Sequence, residues 1–161
     1  MRVLLISILV FGAAFMESAE STWSVGTSTV QGRRVVYKYI DSVPPASTRQ
    51  QLPWLTIVSW KYDGDKNDGM PPPKTNQAMI ALEDALETLS DHQKACLEVY
   101  TGTGNNLKEF AFYIADREAF MVDFNNALSG HPAYPIEINF YEDREWSDLA
   151  KLHQRTGVIW K

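Results

Sequence analysis

The stretch that most narrows the possible folds runs from Trp60 to Pro73. It reads Trp60-Lys61-Tyr62-Asp63, then Gly64-Asp65-Lys66-Asn67-Asp68-Gly69-Met70, then Pro71-Pro72-Pro73. An aromatic strand end passes into a polar, glycine-containing loop. Three prolines then stop the strand, because proline has no N–H to give to a ladder. The chain before this stretch reads as a leader and a hairpin. The chain after it reads as a compact α+β unit.

Periodicity fills in the rest. Residues 22–30 alternate weakly around Trp23 and Val25, Gln31-Gly32 is a turn, and residues 33–40 alternate again, which predicts a β-hairpin. Residues 41–53 carry Pro44, Pro45 and Pro53 and read as a loop within one domain. Residues 54–62 predict a central strand. Residues 75–90 predict a helix, with Met79, Leu82, Leu86 and Leu89 at three- and four-residue steps. Residues 95–101 and 107–114 predict two strands joined by a loop at Gly102-Thr103-Gly104-Asn105-Asn106. On the first of these, Cys96, Glu98 and Tyr100 share one side and Leu97 and Val99 the other.

Asp116 is placed to cap the next helix, which carries Phe120, Phe124 and Leu128 and stops at Gly130. Residues 134–141 alternate most clearly of all, and a last helix is expected over about 143–154. Val158, Ile159 and Trp160 are candidates for a further edge strand. From Trp54 the order is β-α-β-β-α-β and then a helix. That is a ferredoxin-like α+β sandwich with an N-terminal β-hairpin and a C-terminal helix, its two crossover helices on one face of an antiparallel sheet.

The N-terminus has its own composition. Met1-Arg2 is a short positive start, and residues 3–15 are apolar apart from Ser7 and Gly12. That length suits a signal-peptide core and is too short to span a bilayer. The competing reading is a buried N-terminal strand or helix. Residues 1–21 are therefore assigned as a leader and 22–161 as a single α+β domain, exported to the periplasm or the exterior, with no membrane span in the mature chain. Removing the leader takes away Arg2, Glu17 and Glu20 and moves the net charge from −5 to −4. Such a chain has no basic surplus with which to displace counterions from nucleic acid. With only Cys96, an exported chain has no internal disulfide and depends on packing for its stability.

Four segments together resemble a family. They are Trp60-Lys61-Tyr62-Asp63, Gly69-Met70-Pro71, Phe110-Ala111-Phe112-Tyr113 after Lys108-Glu109, and Glu142-Asp143-Arg144-Glu145-Trp146. Their order and spacing are similar to those of the bacterial domain of unknown function 695, from about Trp23 to the final helix. The resemblance implies the same α+β architecture and no established activity. Some members of that family are joined to a domain similar to the protein inhibitor of ribonuclease E, which implies a lean towards protein binding. An exported member would not meet a cytosolic ribonuclease.

No catalytic constellation is written in the chain. His92, His131 and His153 are unrelated in spacing, and HExxH, CxxC and GxSxG motifs are missing, so no local signature calls for a metal or another cofactor. Glu142, Asp143, Glu145 and Asp148 could serve as acid, base or ion ligands, but acidic residues at a helix start also offset the helix dipole. Asp63, Asp65 and Asn67 alternate like calcium ligands, yet Lys74 stands where an EF-hand needs its Glu. Trp60, Tyr62, Tyr113 and Tyr141 are the candidate ligand- or partner-binding residues, as an aromatic groove on a helix-free sheet face; ordinary sheet packing is the alternative.

The leading expectation is a non-enzymatic module that binds a protein or small ligand, with edge pairing into a homodimer also open. The alternative is a carboxylate- or metal-dependent hydrolase that uses the acidic loop and the acidic helix start. The leader is tested by N-terminal sequencing of protein recovered outside the cytoplasm. Cleavage between about residues 14 and 22 is expected, after a small residue; an intact Met1 in the soluble cytosolic fraction overturns it.

Overall fold

The structure, a computed structural model, describes residues 22–92 and 95–157. The leader at 1–21 and the edge strand expected through Val158, Ile159 and Trp160 fall outside the described residues. The order is β1 (Trp23–Val30), β2 (Arg33–Ile40), α1 (Ala46–Gln51), β3 (Trp54–Lys61), α2 (Pro73–Glu87), β4 (Cys96–Gly104), β5 (Leu107–Ile114), α3 (Arg117–Ala127), β6 (Ile136–Glu142) and α4 (Ser147–Thr156). All six strands form one antiparallel sheet ordered β1-β2-β4-β5-β3-β6. From β3 onward this is the split-βαβ arrangement: each crossover helix skips one strand, and β3 and β5 sit centrally. The hairpin extends the sheet by pairing β2 with β4.

Local chemistry sets the boundaries. The β1–β2 turn uses Gln31 and Gly32, both at positive φ, and the β4–β5 turn uses Asn105 and Asn106, also both positive. Two such residues match the twist of a tight hairpin. The five-residue loop expected between β4 and β5 therefore shrinks to two residues, and Gly102 and Gly104 belong to the strand. Pro73 opens α2, two residues earlier than periodicity suggests, at the one helical position where a missing N–H costs nothing. Asp116 caps α3 as expected, its Oδ1 accepting from Ala119 N at 2.8 Å. Residues 46–51, expected as loop, form the short helix α1.

Helices cover both faces of the sheet. On the first face α2 and α3 bring Met79, Leu82, Leu86, Phe120 and Phe124 onto Val58, Trp60, Phe110, Phe112 and Ile114. On the second, Leu52 from the α1 connection and Trp146, Leu149 and Leu152 pack on Tyr39, Leu55, Ala111 and Tyr113. The expectation of a helix-free second face is thus corrected: α4 lies across part of it.

Trp146 explains why. Its ring stacks on Tyr113 with centroids 3.8 Å apart and planes within 6°. Its Nε1–H donates to Leu52 O at 3.1 Å and Arg49 O at 3.2 Å, which satisfies the buried donor and ties down the end of α1. Tyr113 donates its hydroxyl to Asp143 Oδ2 at 2.7 Å, and Asp143 in turn accepts from Ser147 N and Asp148 N at 2.9 and 3.0 Å. The last helix starts at Ser147 rather than near 143 because Trp146 takes a left-handed conformation, φ 55°, to swing its ring inward. At its other end buried His153 donates from Nε2 to Ile40 O at 2.6 Å.

One polar cluster is built into the first face. Lys108 is buried on β5 and donates to Glu83 Oε2 at 2.9 Å, and Lys38 Nζ lies 3.8 Å from Glu83 Oε1. Both ammonium groups thus lean on Glu83. Glu98, 8% exposed on β4, makes no hydrogen bond or ion pair among the described residues.

These contacts set two expectations. Trp146→Ala should cost about 3–5 kcal/mol, the range for deleting a large buried aromatic, measured by urea denaturation; a loss under ~1 kcal/mol would mean that α4 is seated by something else. Burial pushes the Glu98 carboxyl up to about 7 from its ordinary 4.5, against the pull of Lys38. Between those two values the unfolded chain gives up a proton that the folded chain keeps, so stability falls as pH rises through the window, by about 3 kcal/mol in all. Glu98→Gln should remove that fall. The variant should match the parent near pH 5 and exceed it near pH 8, and equal urea midpoints at pH 8 would contradict the assignment.

Candidate functional site

Helix α4 crosses only part of the second face, and among the described residues no helix covers the sheet beneath a cleft beside it. The cleft has a volume of about 370 Å³. Its floor is Leu55 and Ile57 from β3 with Glu109 from β5, and Tyr37, Tyr100 and Tyr141 come from β2, β4 and β6. Its helical wall is Asp148, Leu152 and Arg155, spaced four and three residues apart so that they share one side of α4.

Strand parity puts most of these side chains in place, but Tyr100 needs an irregularity. Leu97 pairs with Tyr113 and Glu98 with Phe112, yet Tyr100 pairs with Ala111, so Val99 is an extra residue in a β-bulge. The bulge moves Tyr100 off the Glu98 side expected from simple alternation and onto the second face. There its hydroxyl donates to Asp148 Oδ2 at 2.7 Å. Tyr37 meets Tyr100 edge-on, with ring centroids 6.2 Å apart. Its ring lies across Gly102, where a Cβ would come within 2.9 Å of Tyr37 Cε1. A smaller hollow of about 90 Å³ shares Tyr37 and Glu109 and continues the cleft towards Val30, Val35 and Leu107.

The electrostatics are lopsided. Arg155 uses Nε to hold Lys151 O at 3.2 Å. Among the described residues it forms no ion pair with Asp148 or Glu109. Glu109 is half-buried and has no hydrogen-bond partner among the described residues. Burial in the cleft, and then the charge of Asp148, hold its carboxyl above the ordinary range. Burial raises Tyr37, with Arg155 opposing. Burial also drives Tyr100 well up, and its bond to Asp148 adds to this.

The four aromatic residues singled out from sequence do not share a surface. Trp60 is buried in the first-face core, 5.5 Å from the Tyr134 ring. Tyr62 lies on that same side and donates its hydroxyl to Gly69 O at 2.9 Å. Tyr113 is fully buried beneath Trp146 on the opposite face. Only Tyr141, 53% exposed, reaches the cleft. The single aromatic groove is therefore corrected, and strand alternation is the reason: Trp60 and Tyr141 point to opposite faces.

The acidic segments are occupied and far apart. Asp65 Oδ1 holds Arg33 at 2.7 Å and Asn106 at 2.8 Å, and Asp63 accepts from Asp65 N at 3.2 Å. Glu142 pairs with Arg144, and Asp143 caps α4. Glu142 stands opposite Trp54 at the start of β3, whereas Asp63 lies beyond Lys61 at its end. At ~3.3 Å per residue that separates them by about 20 Å or more, too far for a carboxylate pair with roughly 5–9 Å between its members. Among the described residues no group of three or more His, Cys, Asp or Glu is arranged to hold a metal.

Sequence reasoning missed Tyr37, Tyr100, Glu109 and Arg155. The one signal in the chain was Glu109 itself, an acidic side chain inside a strand whose next residues are all apolar. Compared with known proteins, a family model described as "Family of unknown function (DUF695)" matches residues 21–151. No curated protein and no solved structure matches.

Proposed function

The chain belongs to the DUF695 family, and on that premise we propose that it is a non-enzymatic binding module whose ligand sits in the cleft beside α4. The observation that carries this reading is the cleft itself: about 370 Å³ of space against an apolar floor, with a few convergent polar groups and Glu109 left unbonded among the described residues. Small-molecule sites have that composition, and their volumes begin near 300 Å³. Carboxylates from the acidic loop and the acidic helix start are too far apart to act on one bond, which favours binding over hydrolysis by that pair.

The reading extends to location. The family match begins at residue 21, the boundary expected for a leader over residues 1–21, which supports reading the preceding segment as one and the domain beyond it as exported. The site is tested by amide-resolved NMR of residues 22–161 against a mixed panel of small molecules and short peptides. Perturbations should cluster at Tyr37, Ile57, Glu109, Tyr141 and Leu152, and bound compounds should be recovered unchanged. Binding confined to another surface would overturn the site, and chemical conversion of a bound compound would overturn the non-enzymatic assignment.

A further inference from the structure

The cleft's polar groups specify a class of ligand. Glu109 sits on the floor with no hydrogen bond or ion pair among the described residues. The groups that face it are Tyr37 from β2, Tyr100 from β4, Tyr141 from β6, and Asp148 and Arg155 from α4; β3 contributes only Leu55 and Ile57. Counting Glu109 itself, the described residues of the cleft include two carboxylates and three tyrosine rings. The one cation among them, Arg155, is exposed and pairs with neither carboxylate. Aromatic faces attract cations, and a desolvated carboxylate needs one. The apolar floor beside Glu109 adds a surface for a short hydrocarbon chain.

We propose that the cleft takes a small organic cation, an ammonium group on a short alkyl chain, with the ammonium at Glu109 among the tyrosines and the chain over Leu55 and Ile57. This rests on the cleft being the ligand site. An alcohol of the same shape forfeits the charge-assisted bond, and a carboxylate meets Glu109 and Asp148 as like charges. Binding favours the ionised form of Glu109, so affinity for the cation rises with pH across the range in which Glu109 titrates and then levels off.

The test uses three probes of one shape: butylammonium, 1-butanol and butyrate. Each is titrated into residues 22–161 and followed by amide NMR, with calorimetry for affinity. Butylammonium should perturb Tyr37, Glu109 and Tyr141 and should bind more tightly than either other probe. Glu109→Gln, which keeps the size and hydrogen-bonding capacity, should weaken it about tenfold or more, the scale of one charge-assisted hydrogen bond, and should flatten its pH dependence. An unchanged amide spectrum elsewhere shows that the variant is folded.

Equal binding of 1-butanol, or butylammonium binding that ignores Glu109→Gln, overturns the proposal. If butyrate or 1-butanol perturbs the cleft while butylammonium does not, the ligand class falls and the cleft stands as the site. If none of the three probes perturbs the cleft and the broad panel binds elsewhere, both readings fall.

Discussion

The flat stack of Trp146 on Tyr113 is the contact from which the second half of this molecule is built. It is a two-sided joint. The indole gives its N–H to the carbonyls of Arg49 and Leu52, and the phenol gives its proton to Asp143, which caps the helix that Trp146 leads into. Every polar atom in the joint is satisfied, so the buried rings carry no desolvation penalty of the kind that unbonded groups impose. It sets the start of α4 on the sheet, and with the packing of Leu149 and Leu152 and the bond from Tyr100 to Asp148 it holds the wall of the cleft, since Asp148, Leu152 and Arg155 stand on that helix.

Two glutamates on neighbouring central strands show how one residue type acquires different roles. Glu98 and Glu109 lie on β4 and β5, and burial raises both carboxyls. Glu98 faces α2, close to lysines already engaged by Glu83, in a region packed by the first-face core. Its cost is a structural one, met by the rest of the core. Glu109 faces the cleft beside α4, on a part of the sheet that the helix does not cover, so its unmet demand is open to a visitor. The bulge at Val99 separates the two situations, because it changes which side of β4 looks towards α4.

Much of the fold was legible because it comes from period and punctuation. The alternation of β2, the Met79–Leu82–Leu86 stripe, the Asp116 cap and the β-α-β-β-α-β order are all local signals, and they fix the ferredoxin-like core. The site was less legible because it depends on parity and on tertiary angle. The sequence shows that Trp60, Tyr62, Tyr113 and Tyr141 are aromatic strand residues. It does not show that a single inserted residue at Val99 reverses a strand's facing, or that a left-handed Trp146 lays the last helix over the face that looked open. The segments that carry the family likeness are largely structural in this light: Tyr62 closes the Gly69 loop, and Tyr113, Asp143 and Trp146 form the joint under α4.

The joint also has a temporal side. Its partners, Leu52, Tyr113 and Trp146, are spread over most of the chain, and β3 waits for β6 to complete its pairing. Contacts between distant residues form late, because the intervening chain must first be brought together. During synthesis the growing polypeptide therefore lacks the pieces that would close its second layer until α4 has been made. A chain held open in that way keeps its second layer unformed until its last helix arrives, so that layer closes only after synthesis is nearly complete.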